Sequence, residues 1–502
     1  MLPETLTGKK IHFIGAKGTG MAALAEILAA KGADLSGSDV PDTFYTDAIL
    51  RRIGMRVSES FDIGNLSPGT DLVIYSDAYN AATNPEMAEA SRKGLPMLSF
   101  AQALGALSRR SDSSGIAGVH GKTTTTAMAG SILDALGSPV TVLTGSAVSS
   151  FGDSCTMIRG ERYFVAETDE YKRHFMHFSP RRILLTSVES DHQDFYPTYE
   201  SIRSAFCDYV LSLPPEGLLV YCADDRGAAE VADFARETRP DIRYVPYGFA
   251  AAGAWKILSC ETGEGKTLFS VGAAPRILEL RLPGRHLVLD AIGALALVSD
   301  IVGDSRDGRG MDDSQWSLAG NALERFRGSR RRSEVIGEAA GVLVMDDYAH
   351  HPTALKTTIE GIKAFWPSRR LVVDFMSHTY SRTIALMDEF AASLDSADCL
   401  VLHGIYASAR EKPVEGVSGR DLFEKVKIRR PDLVDLSASL NPGAPDGERG
   451  FALYEERHCD AAPRLLSLLR ERDLFITMGA GDNWKLGKVL LDSLREKEKS
   501  DV

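Results

Sequence analysis

Residues 118–126 read GVHGKTTTT. Glycines at 118 and 121 let backbone N–H groups point at oxygen atoms, and a following helix N-terminus adds partial positive charge. Lys122 is placed to reach the β- and γ-phosphates of a nucleotide, with the Thr123 hydroxyl on Mg²⁺ and His120 and Thr124 beside them. The spacing is compressed. A standard phosphate loop carries a glycine five residues before Gly121, where this chain has Ile116. On this stretch alone, a Gly/Thr-rich turn opening an ordinary helix explains the residues equally well.

Three other groups carry chemistry. GAKGTGM, with Gly15, Gly18 and Gly20, follows a strand-like run and opens a helix, the context of a diphosphate site. Ser38 and Asp39 end the next strand, where a carboxylate suits a ribose. The glycine spacing is G-x-x-G-x-G, so a plain turn stays open as an alternative. VAETDEY and SVESDHQD place Glu167, Asp169, Glu170, Glu189, Asp191, His192 and Asp194 at the ends of successive strands. Carboxylates with an imidazole there can hold Mg²⁺ beside a phosphate. Taken singly, each residue fits a solvated acidic loop as well. MDDYAHHPT crowds Asp346, Asp347, Tyr348, His350 and His351 behind an apolar strand, a costly density of ionisable groups unless it is used. A zinc site there lacks a third ligand. Arg331 and Arg332 suit charge stabilisation on phosphate, or simply a basic linker.

The elements that position these groups alternate strand and helix. KKIHFIG, ADLSGSD, DLVIYSDA and LPMLSF read as strands around the helical pattern MAALAEILAAKG. RYFVAE, RRILLTS and EGLLVYCADD continue the rhythm after the Gly-Lys-Thr, and GVLVMDD, RRLVVDF, ADCLVLHG and RDLFITMGAGD repeat it near the C-terminus. Such alternation predicts α/β architecture with parallel sheets. The length of 502 residues suggests about three domains. SRRSDSSG (108–115) is the expected first linker, and ERFRGSRRR (324–332) the second. A formal charge of −12 disfavours nucleic acid as a partner, since that surface must be basic. No run of 18 apolar residues is found, so no membrane span is expected. Six scattered cysteines without a C-x-x-C pair suggest buried free thiols in a reducing cytoplasm.

Together the motifs resemble those of the Mur ligases, ATP-dependent amide-forming enzymes of bacterial peptidoglycan synthesis. The resemblance covers nearly the whole chain, and the compressed Gly118–Thr124 loop is similar to that family's own ATP motif. HFIGAKGTGM, SGSD, GRRRSEVIG, DDYAHHPT, SHTYSRT, IYASAREKPVEGVS and TMGAGDNWKLG look most like its alanine-adding branch. The resemblance implies three domains. They are a Rossmann-like UDP-sugar domain (1–108), a central P-loop ATPase-type α/β domain (109–325) and a Rossmann-like amino-acid domain (326–502). It implies ATP and Mg²⁺ as cofactors, with UDP-N-acetylmuramate and L-alanine as substrates joined through an acyl phosphate. It further implies a cytoplasmic monomer or homodimer. Lys122, Thr123, Glu167 and His192 would hold phosphates and Mg²⁺, and His286, Arg332 and Asp347 would contact ATP. Gly18, Gly20, Ser38 and Asp39 would hold the UDP end. Tyr348, His378, Arg382, Tyr406 and Arg410 would line the muramoyl and alanine end. His192, His350 and His378 are candidates to accept the amine proton.

The chain departs from the family pattern at Leu287 and Asp290, where asparagines are usual, and at Ser187. SIRSAFCDY offers no lysine for the carbamylated bridge of other branches. Three other readings remain at this point: a ligase adding a whole murein tripeptide, a non-catalytic nucleotide or UDP-sugar sensor, and a dehydrogenase built on GAKGTG.

Overall fold

The structure, a computed structural model, describes residues 2–263, 265–305, 310–407, 411, 414, 416–438 and 450–500. Arg410 lies outside the described residues. Chain contacts divide the protein into two compact units. The first comprises Met1–Cys260, Phe269–Leu280 and Val288–Phe326; the second comprises Glu261–Leu268, Arg281–Leu287 and Arg327–Val502.

Of the four sheets among the described residues, two lie wholly in the first unit. One is fully parallel, in the order Arg56–Ser58, Asp34–Ser38, Lys10–Ile14, Leu72–Tyr75, Met97–Ser99. The other runs Arg243–Tyr247, Leu218–Cys222, Arg182–Leu185, Asp112–Ala117, Tyr163–Glu167, Val140–Val148, Ser154–Ile158, and only its last pair is antiparallel. Helices cover both faces, which is why the central strands read as continuous apolar runs such as Ile183–Leu185.

The helix Thr19–Ala30 belongs to both sheets' packing. Met21 through Leu28 are all buried, and Leu24 and Leu28 share one apolar cluster with Cys155, Phe164 and Phe178 of the second sheet's layer. Glu26 sits inside that contact. Its carboxylate accepts hydrogen bonds from Ser154 Oγ at 2.5 Å and Thr156 Oγ1 at 3.1 Å, and pairs with Arg52 at 3.1 Å. A buried carboxylate is tolerable only with such partners.

Residues 112–115, expected to lie in a linker, instead begin the strand Asp112–Ala117 in the middle of the second sheet. Ser113, Ser114 and Gly115 are buried. The residues are small because the site is crowded: a Cβ at Gly115 would lie 2.3 Å from the Tyr209 hydroxyl oxygen. Of the cysteines, Cys459 is exposed and Cys260 half-buried, against the expectation, while the other four are buried. The stretch Arg285–Gly303 is long and apolar enough to cross a membrane by composition, but 78% of its apolar window is buried inside the protein, as in a core helix.

The second unit is built on one sheet, ordered Glu334–Ala339, Val342–Asp347, Asp473–Met478, Arg370–Phe375, Cys399–His403, Phe451–Glu455, Val434–Asp435. All neighbours are parallel except the first pair. Its motifs therefore gather at the carboxyl ends of parallel strands, where open α/β sheets bind ligands.

Candidate active site

The phosphate-loop residues lie between the strand Asp112–Ala117 and the helix Lys122–Ala135. Gly118 (φ 136°) and Gly121 (φ 80°) take backbone conformations that side chains resist. A Cβ at Gly118 would fall 2.1 Å from Thr186 Oγ1, and one at Gly121 2.5 Å from Asp290 Oδ1. The loop is pinned by His120 N donating to Ser187 Oγ at 2.9 Å and Thr186 Oγ1 donating to His120 O at 2.5 Å. Ser187 and Asp290, two of the departures from the family pattern, thus both abut the loop. Thr123 and Thr124 sit buried in the first turn of the helix.

Lys122 points back across the loop. Its Nζ donates to Gly118 O and lies 2.9 and 3.1 Å from the two oxygens of Glu170. Burial alone would lower its pKa, but the charges of Glu170, Glu167 and Asp169 outweigh burial and raise it. The ammonium stays charged, as phosphate binding requires.

Asp169, Glu170 and His192 converge. One ligand atom from each lies within 4.8 Å of the others, and His192 Nε2 is 3.5 Å from Glu170 Oε1. His192 has a left-handed backbone (φ 53°). Burial opposes its protonation, but the Glu170 hydrogen bond and the charges of Asp191, Glu170 and Asp169 raise its pKa. Glu167, expected on the metal, ends its strand nearby, and its carboxylate accepts the Gly145 N–H at 2.8 Å. The donor set of the cluster is mainly oxygen, which suits Mg²⁺, and the glycine cradle beside it suits phosphate.

At the first glycine loop, Gly18 caps the helix Thr19–Ala30. Gly20 lies against Phe100, where a Cβ would meet the ring at 2.8 Å. Asp39 accepts from Lys17 N at 2.6 Å, Val40 N at 2.8 Å and Tyr79 OH at 3.3 Å. Ser38 Oγ donates to Glu86 at 2.5 Å, and Glu86 also meets His12 at 3.2 Å. Ser38 and Asp39 thus have internal partners that shape the loop. Neither Glu86 nor His12 was singled out by the sequence.

In the second unit, Arg331 pairs with Asp346 at 3.0 Å and donates to Gly479 O at 2.7 Å. The guanidinium carbons of Arg331 and Arg332 lie 4.9 and 5.1 Å from the Tyr348 ring centre, within cation–π range. Burial pushes the Asp346 carboxyl up to about 6, against the pull of Arg331 and Thr477. Asp347 accepts from Ser333 N at 2.6 Å and Ala349 N at 2.7 Å. His350 stands 6.2 Å from His378, which stacks on Tyr406 at 5.8 Å. Arg382 lies in the short helix Tyr380–Ala385 that follows. His286 falls in the segment Arg281–Leu287 of this same unit. His351 caps the helix Pro352–Phe365.

A buried pair behind this cluster was not singled out by the sequence. His403 Nε2 lies 2.6 Å from Asp374 Oδ2, with both side chains fully buried, and Asn483 donates to the other Asp374 oxygen at 2.8 Å. Burial opposes the imidazolium, but Asp374 raises the His403 pKa above its ordinary 6.5. A group held above its unfolded value stabilises the fold fully below that value and loses the contribution as pH rises through the folded one. Asp374→Asn is therefore expected to cost roughly 3–5 kcal/mol at pH 5.5 and less at high pH. Paired thermal melts at pH 5.5 and 9.5 check this; an equal cost at both would contradict the pairing.

Comparison with known proteins bears on this arrangement. Residues 10–112 match the family model "Mur ligase family, catalytic domain", residues 116–298 the "Mur ligase middle domain" and residues 331–481 the "Mur ligase, glutamate ligase domain". The UDP-N-acetylmuramate–L-alanine ligase of Treponema pallidum is 48% identical over 496 residues, 99% of each chain. Among solved structures, the UDP-N-acetylmuramate-alanine ligase MurC of Thermotoga maritima has a TM-score of 0.76 at 25% identity, covering 97% of this chain and 99% of that one. A murein peptide ligase from Psychrobacter arcticus shares the fold at a TM-score of 0.64 and 23% identity, with coverage of 97% and 99%. Three domain models in order, each falling on a parallel-sheet region with its motifs at the strand ends, establish that the chain belongs to the Mur ligase family.

Proposed function

We propose that this protein joins L-alanine to the carboxylate of UDP-N-acetylmuramate, with ATP converted to ADP and phosphate, in cytoplasmic peptidoglycan synthesis. The observation that carries this reading is the 48% identity to the Treponema pallidum enzyme over 99% of both chains.

A carboxylate resists attack by an amine. The γ-phosphoryl group of ATP passes to a carboxylate oxygen and gives an acyl phosphate. The amine of alanine then adds to the acyl carbon, loses a proton, and expels phosphate as the amide forms. Phosphoryl transfer depends on positioning and on neutralising charge over the phosphate oxygens. Val119 N and His120 N are held by Ser187, so the backbone donors offered to phosphate are those of the first turn of the helix Lys122–Ala135, and Lys122 supplies a fixed positive charge. Thr123, Glu167, Asp169, Glu170 and His192 would hold Mg²⁺, which when bound neutralises phosphate charge. His286, Arg332 and Asp347 serve the nucleotide. Gly18, Gly20, Ser38 and Asp39 form the UDP end. Tyr348, His378, Arg382, Tyr406 and Arg410 form the muramoyl and alanine end. His192, His350 and His378 are the imidazoles available to take the amine proton. Domain limits at 1–108, 109–325 and 326–502, and a monomeric or homodimeric state, belong to the same proposal.

Phosphate release measured in parallel with L-alanine, L-serine, glycine and the murein tripeptide tests the reading. Release is expected to require UDP-N-acetylmuramate and to be fastest with L-alanine. Preference for the tripeptide would move the protein to the peptide-adding ligases, and release with neither acceptor present would mark a simple ATPase.

A further inference from the structure

His174 has no part in the mechanism above, yet it stands between two of its sites. The segment Tyr171–His177 follows Asp169 and Glu170 and turns through two left-handed residues, Lys172 (φ 49°) and Arg173 (φ 61°). Such backbone persists only where the surroundings fix it. Here Phe175 is buried, stacked on Tyr209 at 4.4 Å and edge-on to Phe206 at 5.5 Å. Arg173 pairs with Asp208 at 2.6 Å. The turn delivers the His174 ring between two carboxylates attached to different sheets. Nδ1 lies 3.2 Å from Asp169 Oδ2, and Nε2 lies 3.2 Å from Asp77 Oδ2.

The two carboxylates serve different ends of the reaction. Asp169 belongs to the cluster with Glu170 and His192. Asp77 lies in the turn after the strand Leu72–Tyr75, and that turn packs on the first glycine loop. Ser76 N donates to Ile14 O at 3.0 Å. A Cβ at Gly15 would meet the Tyr79 ring at 2.7 Å and Ser76 Cβ at 2.9 Å. Tyr79 in turn reaches Asp39. A ligand that shifts the Gly15 loop must shift this turn, because close-packed contacts leave no slack. Through His174 the shift arrives at Asp169.

We propose that His174 is a positioning residue that couples the sugar-nucleotide loop to the cation cluster, so that occupancy of one site changes affinity at the other. The proposal rests on the ligase reading. Coupling of this kind is reciprocal. Half-exposed ion pairs contribute little to folding, so the effect falls on linkage between sites and not on stability.

Calorimetry on the full chain tests it. The Kd of UDP-N-acetylmuramate is measured with and without Mg²⁺ and a non-hydrolysable ATP analogue, in the wild type, in His174→Ala and in Asp77→Asn. The wild type is expected to show a change of at least about fivefold. Both variants are expected to lose most of it. Asp77→Asn touches no member of the cation cluster, so its affinity for the Mg²⁺–nucleotide alone is expected to stay within about twofold of wild type. Thermal melts confirm that each variant is folded; if His174→Ala is not, Asp77→Asn alone decides. A wild-type factor near one, or variants that keep the full factor, would overturn the coupling while leaving the ligase reading intact. A wild type that binds no UDP-N-acetylmuramate under either condition would overturn the ligase reading and the coupling with it.

Discussion

Lys122→Ala is expected to lower ATP-dependent turnover by at least about 10²-fold, the usual scale for losing a charge aimed at a reacting group. Lys122 is the cation built into the loop, held 2.9 Å from Glu170 and bonded to Gly118 O. Its loss leaves Glu170 buried but still facing His192 at 3.5 Å, so the fold is expected to survive. Steady-state kinetics paired with thermal melting check both halves. Turnover near wild type in a folded variant would remove Lys122 from phosphoryl transfer.

The second large effect concerns the cation cluster. Glu170→Gln is expected to raise the Mg²⁺ concentration for half-maximal activity by about tenfold or more, the low end for disturbing metal-site residues. Glu167→Ala is expected to raise it as well, although Glu167 is also bonded to Gly145 N. Magnesium titrations of the two variants assign the site. An unchanged curve for either residue takes that residue out of it.

The chain's architecture was legible where packing follows local pattern. Ile11, Phe13 and Ile14, like Val342–Met345, are apolar because helices cover both faces of their sheets, and they form strands as expected. Only the first residues of Asp112–Ala117 read as a linker, because they are small and polar. The sequence does not reveal that the Tyr209 hydroxyl comes to lie over Gly115. The glycine turn at 118–121 was legible because the strand, the two positive-φ glycines and the helix that make it are consecutive in the chain. The cation cluster could be read only in part. Glu167, Asp169 and Glu170 are equivalent by spacing, and only the folded chain sets Glu170 against Lys122 and His192. Pairs such as His12 with Glu86, or Asp374 with His403, join residues far apart in the chain, and no local signal marks them.

In the proposed reaction the sugar carboxylate is activated by phosphorylation before an amine attacks it. If so, one carboxylate oxygen leaves with the phosphate. The direct measurement uses UDP-N-acetylmuramate labelled with ¹⁸O in both carboxylate oxygens, with ATP, Mg²⁺ and L-alanine, and mass analysis of the phosphate released. One ¹⁸O is expected in the phosphate for each amide formed. Unlabelled phosphate would show that water, not the sugar acid, receives the phosphoryl group, and would contradict it.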